Sequence, residues 1–280
     1  MANAYHSIAT TDFNEVSPNT LTITKPTGLA VGDTMVAYMV WDSANTDDPT
    51  QPSGWTLLYA DSTGTRSSVA YKVATSGDVA ASNFAWSFGG TVTASGGSIM
   101  RWSGVGLVQA GTIDRENSTT STPVFTTGIT PNTASTGIIF AYHSPYTHTV
   151  STYAIVTSNP SWTEIMDEQN VTPDLTMSLA YAIRTEATST GNFSCTTSSS
   201  HDDHNGVLIY LTAQENYTAT PDTLSATVNI VDPTVIGSGN TSVAVIDATA
   251  SVIAPTVTTA LPTWSNTDKN TSTWSNTDKS

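Results

Sequence analysis

His201-Asp-Asp-His204 brings together side chains of the types that bind divalent metal ions. In an extended segment, residues three apart point to opposite faces, so this spacing favours a solvated hairpin tip over a metal site. Asp42, Asp47 and Asp48 could bind calcium through their carboxylate oxygens. Their run lacks the ligand spacing and the glycine of an EF-hand, which favours an ordinary acidic loop. We therefore predict no bound metal, with these five residues as the candidates.

Three carboxylates that follow Trp162 could supply the acid pair of a glycoside hydrolase: Glu164, Asp167 and Glu168. The matching residues of an internal repeat, described below, do not preserve this set. The five histidines come with no nucleophile elbow, and the chain has no P-loop. Cys195 is the single cysteine and is expected to be a small buried apolar residue. The sequence therefore predicts a protein without catalytic residues or cofactors.

Aromatic side chains near loops are candidates for binding a glycan, because saccharide sites commonly present exposed rings beside Asp, Asn and carbonyl groups. The candidate platform is Trp41, Tyr142, Tyr146 and Tyr153. Most of the tryptophans lie within strand patterns, however, where core packing is the more common role: Trp41, Trp55, Trp86, Trp102 and Trp162. Glycan binding is therefore an alternative function for this chain.

The surface that surrounds these residues is rich in hydroxyl groups. Of 280 residues, 52 are Thr and 34 are Ser, and only 11% are charged, against about 25% in an ordinary soluble domain. The net charge is −15, and the eight Lys and Arg residues are scattered singly. Because nucleic acids and acidic membranes bind clustered cations, we expect neither as a partner. No apolar stretch approaches about 18 residues, and no secretory signal is visible at the N-terminus.

Short runs of Val, Ile, Thr, Tyr and Trp, separated by Gly, Pro, Asn and Asp, predict an all-β fold. The expected strands form two sets, over 20–102 and 124–213. The sets match in order, at offsets of 107 to 110 residues for four pairs and 104 for the last: Trp55 with Trp162, Tyr71 with Tyr181, Phe84 with Phe193, Ile99 with Leu208, and Tyr38 with Tyr142. Offsets that drift by a few residues are typical of loop insertions in a duplicated unit.

We predict a jelly-roll-like β-sandwich over residues 1–215, built from two sequence-similar halves at about 1–110 and 111–215. Each half alone would expose an apolar sheet face, and two facing halves would cover it. Closely interleaved jelly-roll strands and two side-by-side domains stay open as alternatives. Residues 216–260 form a small strand-forming segment with too little apolar volume for a core of its own. That segment must pack on the sandwich, on another copy or on a partner.

The last residues form a tandem repeat in which Thr-Trp-Ser-Asn-Thr-Asp-Lys occurs at 263–269 and again at 273–279. Because the period of 10 is even, Trp264 and Trp274 point to the same side of an extended chain. We predict that residues 261–280 are a docking tail, with a disordered polar tail as the alternative. Its expected contact residues are Trp264, Asn266, Asp268, Lys269, Trp274, Asn276, Asp278 and Lys279.

Four motifs of the first half carry a family resemblance: Pro-Ser-Gly-Trp55, Ala-Tyr71-Lys-Val, Phe84-Ala-Trp86 and Arg-Trp102-Ser-Gly. With their second-half counterparts they resemble, over about residues 5–213, a β-sandwich module of tailed-bacteriophage virion proteins and some bacterial surface proteins. The tail repeat is similar to short Trp-Asn-x-x-Lys tails on phage tail and head-appendage proteins. These motifs are structural, so they indicate a fold and a setting.

The resemblance implies a non-enzymatic virion component: a fibre, tail appendage or capsid-decoration subunit attached to other virion proteins through its C-terminal region. Such a protein folds in the host cytoplasm without an export signal and is exposed outside the cell after lysis. The uncovered apolar strands of residues 220–255 predict a homo-oligomer, with a trimer favoured. A receptor-binding module for host surface glycans is the alternative.

Overall fold

The computed structural model describes residues 3–14, 19–43, 48–61, 66–90, 92–131, 136–157, 160–171 and 174–214. The segment 216–260, the docking tail 261–280 and Asp47 lie outside these described residues. Within them the chain forms sixteen strands and one five-residue helix, which confirms the all-β prediction. None of the helical structure in these ranges has the length and apolar character that a membrane crossing requires.

The elements in chain order are β1 (Ala4–Asn14), β2 (Thr20–Thr24), β3 (Thr34–Ser43), β4 (Thr56–Asp61), β5 (Arg66–Val73), α1 (Ser76–Ala80), β6 (Asn83–Ser87), β7 (Val92–Ser103), β8 (Val105–Ala110), β9 (Asp114–Glu116), β10 (Val124–Phe125), β11 (Thr136–Ser144), β12 (Val150–Ile155), β13 (Thr163–Val171), β14 (Asp174–Arg184), β15 (Phe193–Thr197) and β16 (His204–Ala213).

A five-stranded and a six-stranded antiparallel sheet form the body of the structure. The first has the order β1-β7-β3-β5-β4 and the second the order β8-β16-β11-β14-β13, with β9 also paired to β16. Corresponding strands of the two halves hold the same place in these orders, so the repeat in the sequence is also a repeat of topology. Each large sheet has a small companion sheet, β2-β6 in the first half and β10-β15-β12 in the second.

Three hydrophobic cores separate these four layers, so each half is itself a two-layer sandwich. The inner core lies between the two large sheets and includes Val36, Tyr38, Val40, Met100, Trp102, Ile139, Ala141, Met177, Leu179 and Ile209. The first outer core lies beneath β2 and β6 and includes Leu21, Ile23, Met35, Ala37, Met39, Trp41, Trp55, Phe84 and Trp86. The second outer core lies beneath β10, β12 and β15 and includes Phe125, Ile138, Phe140, Tyr142, Tyr153, Phe193, Cys195 and Leu208.

Strand β3 illustrates how one sheet contributes to two cores. Successive side chains of a strand point to opposite faces, so Val36 and Tyr38 enter the inner core while Met35 enters the first outer core. Because both faces are buried, the strand reads as an unbroken apolar run rather than as alternation.

The strand register corrects one of the predicted matches by a single residue. Ala37 lies opposite Ile99, and Phe140 lies opposite Leu208. Because Ile99 corresponds to Leu208, Ala37 corresponds to Phe140. The match of Tyr38 with Tyr142 expected from the sequence would instead pair Ala37 with Ala141, so it is shifted by one residue. A slip of one residue exchanges the faces of a strand, so Tyr142 points into the second outer core while its expected counterpart enters the inner core.

A glycine at the same position in the last strand of each half lets the small sheet approach the large one. A Cβ placed on Gly97 would lie 2.7 Å from the Cδ1 of Ile23, and a Cβ placed on Gly206 would lie 2.8 Å from the ring of Phe125. Ile23 and Phe125 occupy matching positions, because Ile23 lies opposite Phe84 and Phe125 lies opposite its counterpart, Phe193. Equivalent contacts at equivalent positions are the packing signature of a duplicated unit.

The two halves meet at Gly104, the single residue between β7 and β8, which has φ +69°. This boundary is earlier than the one expected near residue 110, because β8 pairs with β16 of the second sheet. Arg115 forms an ion pair with Asp61 across the halves. Inside the inner core, the Tyr38 hydroxyl lies 2.7 Å from Nδ1 of His143. Polar contacts as well as apolar packing therefore fix one half on the other.

Candidate functional site

A groove opens in the second half where β12 approaches the start of β13. Its volume is about 320 Å³, and it is lined by Thr152, Tyr153, Pro160, Trp162 and Glu164. Two aromatic side chains, a carboxylate and a hydroxyl thus surround one concave surface. Concave surfaces with aromatic walls and a few polar groups are typical of small-ligand sites.

Irregular strands give the groove its shape. The pairing of β12 with β15 shifts between Ser151 and Ala154, and Thr152 within that shift has φ +52°. A non-glycine residue in this left-handed region is strained, and such residues cluster at functional sites. The pairing of β13 with β14 shifts between Glu164 and Met166. Bulges of this kind change the direction of neighbouring side chains, and both bulges lie at the groove.

The aromatic side chains of the groove are held by the second outer core. The ring of Trp162, which is half-buried, lies 6.2 Å from Phe140 in a T-shaped contact and 6.4 Å from Tyr153. Tyr153 is buried, and its hydroxyl hydrogen-bonds to the hydroxyl of Ser178. Core packing therefore fixes both rings without the help of a ligand.

At the matching position of the first half the tryptophan is buried, whereas Leu57 is 38% exposed. Trp55, the counterpart of Trp162, is only 7% exposed and packs edge-on against Trp86 at 5.1 Å. Leu57 occupies the position of Glu164, and the same bulge follows it in β4. The two halves therefore have the same backbone bulge at this point but differ in the side chains that surround it.

Two carboxylates of β13 have different surroundings. Glu164 lines the groove, and partial burial raises its pKa while the Tyr153 hydroxyl opposes that rise. The Oδ2 of Asp167 accepts a hydrogen bond from the Val150 N–H at 3.1 Å, which ties β13 to β12. Burial raises the pKa of Asp167 to about 6, and its Oδ1 is buried with no hydrogen-bond partner among the described residues. Only Glu164 reaches the groove, so the acids do not face one bond as a glycosidase pair does.

A second group of polar side chains is a buried network of histidine and tyrosine. The Tyr142 hydroxyl lies 2.8 Å from Nε2 of His148 and 2.6 Å from Nδ1 of His204. The Nε2 of His204 lies 2.7 Å from the carbonyl oxygen of His201 and 3.0 Å from that of Thr120. Carbonyl oxygens only accept, so Nε2 of His204 carries the proton and its Nδ1 accepts from Tyr142. The Tyr142 oxygen in turn accepts from Nε2 of His148.

This order of donors leaves Nδ1 of His148 as a bare, buried acceptor without a partner among the described residues. Protonation of that nitrogen would create a buried N–H with nothing to receive it. Burial, assisted by the nearby His204 and His201, lowers the pKa of His148 to about 4. His148 is therefore neutral near neutral pH, and it takes part in the network as a structural group.

The predicted solvated tip at His201–His204 holds for Asp202, which is exposed, and is wrong for His204, which is fully buried. The expectation of opposite faces fails because Asp203 has φ +62°, so the segment is not extended. Both imidazoles face His148, with ring centroids 5.5 and 5.9 Å away.

Among the described residues proposed as metal ligands, the two carboxylates differ in their surroundings. Asp42 is half-buried within β3, whereas Asp48 is exposed. Across the described ranges, no group of three or more His, Cys, Asp or Glu side chains is arranged to hold a metal ion. Cys195, in contrast, is buried as predicted.

The four predicted glycan-binding residues do not form one exposed platform. Trp41 and Tyr142 are 1% and 0% exposed, because strand alternation turns both rings into the outer cores. That part of the prediction is wrong. Tyr153 is also buried, but it does line the groove. Tyr146 is half-buried outside the groove, where its ring stacks on His201 at 4.5 Å.

The groove residues Trp162 and Glu164 are absent from the predicted glycan set. Trp162 lies in a strand pattern and was therefore assigned to the core, which is only half correct. The available signal was the internal repeat, because it places Glu164 where the other half has Leu57. The replacement of an apolar residue by an acid shows that the two halves differ in side-chain chemistry at this position.

A larger open groove, of about 660 Å³, lies beyond Pro160 and is lined also by Ser161, Thr163, Tyr181, Ala182, Ile183, Arg184, Thr185 and Glu186. Arg184 is 1% exposed and donates to the carbonyl oxygens of Thr188 and Ser189. Its guanidinium therefore holds the loop after β14 and does not serve as an anion site.

No protein-family model, curated protein or solved structure matches this chain. The resemblance to phage virion proteins consequently stays a prediction.

Proposed function

We propose that this chain is a non-enzymatic structural subunit of a bacteriophage virion, as a fibre, a tail appendage or a capsid decoration. The observation that carries the proposal is the position of the motif residues behind the resemblance. Trp55, Phe84, Trp86 and Trp102 are each at most 7% exposed. Motifs made of core residues indicate that the shared property is the building of a stable body.

The doubled sandwich supports the same role. Two large sheets bury one apolar face each against the other, and each buries its second face against a small sheet. The surface is solvated largely by Ser and Thr hydroxyls, and eight Lys and Arg in 280 residues leave few sites for trypsin-like proteases. Such a surface suits a particle that persists outside cells after lysis.

The proposed subunit attaches to other virion proteins through residues 261–280 and assembles as a homo-oligomer, with a trimer favoured. The test is quantitative mass spectrometry of purified particles from cells that express the tagged chain. We expect the full chain at a fixed copy number in particles. We also expect folded protein without particle incorporation after deletion of residues 261–280, or after the double change Trp264→Ala and Trp274→Ala.

Absence of the full chain from particles would contradict the structural role. Normal incorporation of both tail variants would contradict only the docking role of the tail. A monomeric mass of the full chain by light scattering at micromolar concentration would contradict the homo-oligomer.

A second candidate function is a receptor-binding module for host surface glycans. The observation that favours it is the groove, in which Trp162 and Tyr153 stand beside the Glu164 carboxylate. The two functions are compatible, because an appendage that builds a particle can also carry its receptor-binding surface.

A further inference from the structure

From the groove between β12 and β13, we infer that the second half binds one pyranose ring of a neutral saccharide, stacked on Trp162 and hydrogen-bonded to Glu164. This inference deepens the second candidate function and does not depend on the structural role in a virion. An aromatic face matches the C–H face of a sugar ring, and a carboxylate accepts hydrogen bonds from adjacent sugar hydroxyls. The groove offers both groups within one concave surface.

The size of the groove fits a single ring. At about 320 Å³ it lies at the lower end of ligand pockets, which range over about 300–1,000 Å³. Five residues line it, and among them the Thr152 hydroxyl supplies a further polar group. A longer glycan has room to continue past Pro160, which also borders the larger groove.

Charge selects the class of sugar. Glu164 is the charged residue among those that line the groove, and Asp167 lies behind it on the same strand. Arg184, the cation on the far side of Pro160, is buried and bonded to its own loop. With a net charge of −15, the chain repels anionic sugars. The ligand is therefore a neutral hexose or N-acetylhexosamine rather than a sialic or uronic acid.

The internal duplication supplies a comparison that argues against simple packing. At the matching position the first half buries Trp55, and Leu57 stands in place of the acid. The first half therefore buries its tryptophan at this bulge without a carboxylate, and Leu57 beside it stays 38% exposed. The second half nevertheless presents Trp162 and Glu164 there, and it holds Thr152 in a strained conformation beside them. The strain at Thr152, the greater exposure of Trp162 and the acid in place of Leu57 all point to binding.

The test uses the purified full chain on an array that carries neutral and sialylated glycans, followed by calorimetric titration of the tightest neutral oligosaccharide. Trp162→Ala removes the stacking face and Glu164→Gln removes the charge with little change of shape. Tyr146→Ala is the matched control, because it removes a half-buried aromatic ring outside the groove. Near-ultraviolet circular dichroism and thermal unfolding check that each variant is folded.

We expect saturable binding of neutral glycans, at least about tenfold weaker in Trp162→Ala and about threefold to tenfold weaker in Glu164→Gln. The Tyr146→Ala variant should bind like the unchanged protein. If Trp162→Ala is unfolded, the binding affinity of the Glu164→Gln variant, whose changed side chain is exposed, decides the test alone. The inference is overturned by no saturable binding, by binding of sialylated glycans only, or by affinity that the Glu164 change leaves unaltered. Particle incorporation should be unaffected by these groove variants, so failure here is separate from failure of the structural role.

Discussion

Replacement of Asp167 by Asn should stabilise the protein at neutral pH. The carboxylate ties β13 to β12 through Oδ2, while its Oδ1 is buried without a partner among the described residues. Burial raises its pKa from the ordinary 3.8 to about 6. An asparagine retains an oxygen that accepts from the Val150 N–H and removes the buried charge.

The sign and size follow from the linkage between protonation and folding. Because the pKa of Asp167 is raised in the folded state, its charge costs nothing below about pH 4, and the cost grows as pH rises through about 6. The difference between the two pKa values corresponds to at most about 3 kcal/mol. The side chain is half-buried rather than fully buried, so screening by solvent reduces this to about 1–2 kcal/mol.

Urea unfolding followed by tryptophan fluorescence measures this effect at about pH 7 and at about pH 3.5. The Asn variant should be more stable at the higher pH and equal to the unchanged protein at the lower. Asp48→Asn, which removes an exposed carboxylate, is the control and should give little difference at either pH. A stability gain of the same size at both pH values, or a loss at about pH 7, would refute the reasoning.

Three other substitutions test the polar networks and the duplicated packing. His148→Gln keeps a donor to Tyr142 but cannot titrate. Because the pKa of His148 is about 4 in the folded protein instead of 6.5, the unchanged protein loses stability as pH falls from about 6.5 to about 4. Over this range the free energy of unfolding of the variant should fall by about 2–3 kcal/mol less than that of the unchanged protein. Tyr38→Phe removes the 2.7 Å hydrogen bond to His143 and should cost about 1–3 kcal/mol in urea unfolding. Gly206→Ala places a methyl group 2.8 Å from the Phe125 ring and should lower stability by about 1–3 kcal/mol in thermal unfolding.

Each of these has a clear contrary outcome. An unchanged acid profile in His148→Gln would mean that another group controls the acid response. No loss in Tyr38→Phe would mean that the bond between the two large sheets is energetically neutral. Gly97→Ala is the companion test, and it should cost less, because its Cβ meets the ends of the aliphatic Ile23 and Leu21 side chains instead of a ring. A loss in Gly97→Ala as large as that in Gly206→Ala would contradict this reasoning.

The fold was predictable where aromatic residues recur in the same order in both halves, as at β5 with Tyr71 and β6 with Phe84. Strands β1, β8 and β9 lie outside the two predicted sets of strands. In β1, the Ser, Thr and Ala residues give weak alternation. Helix α1 was missed because five residues are too few for periodicity. Its signal was the capping box in which Thr75 and Asp78 exchange hydrogen bonds.

The site was less predictable, because it depends on local backbone conformation. The left-handed Asp203 brings His201 and His204 to one side, and no spacing rule for an extended strand anticipates that turn. Likewise, the bulges around Thr152 and Glu164 decide that one tryptophan lines a groove while its repeat partner is buried. Strand periodicity reports which face a residue occupies but not where a strand departs from regular pairing.

The single-residue junction at Gly104 affects whether the two halves of the sandwich pack within one molecule or between two molecules. In its left-handed conformation, Gly104 turns the chain so that the second large sheet folds back onto the first within the same molecule. A β-branched residue is disfavoured at that φ, and an extended residue there would make β7 and β8 one continuous strand. Each half would then cover the half of a second molecule, which is domain swapping. The left-handed conformation of Gly104 therefore favours a self-contained body over an exchanged dimer.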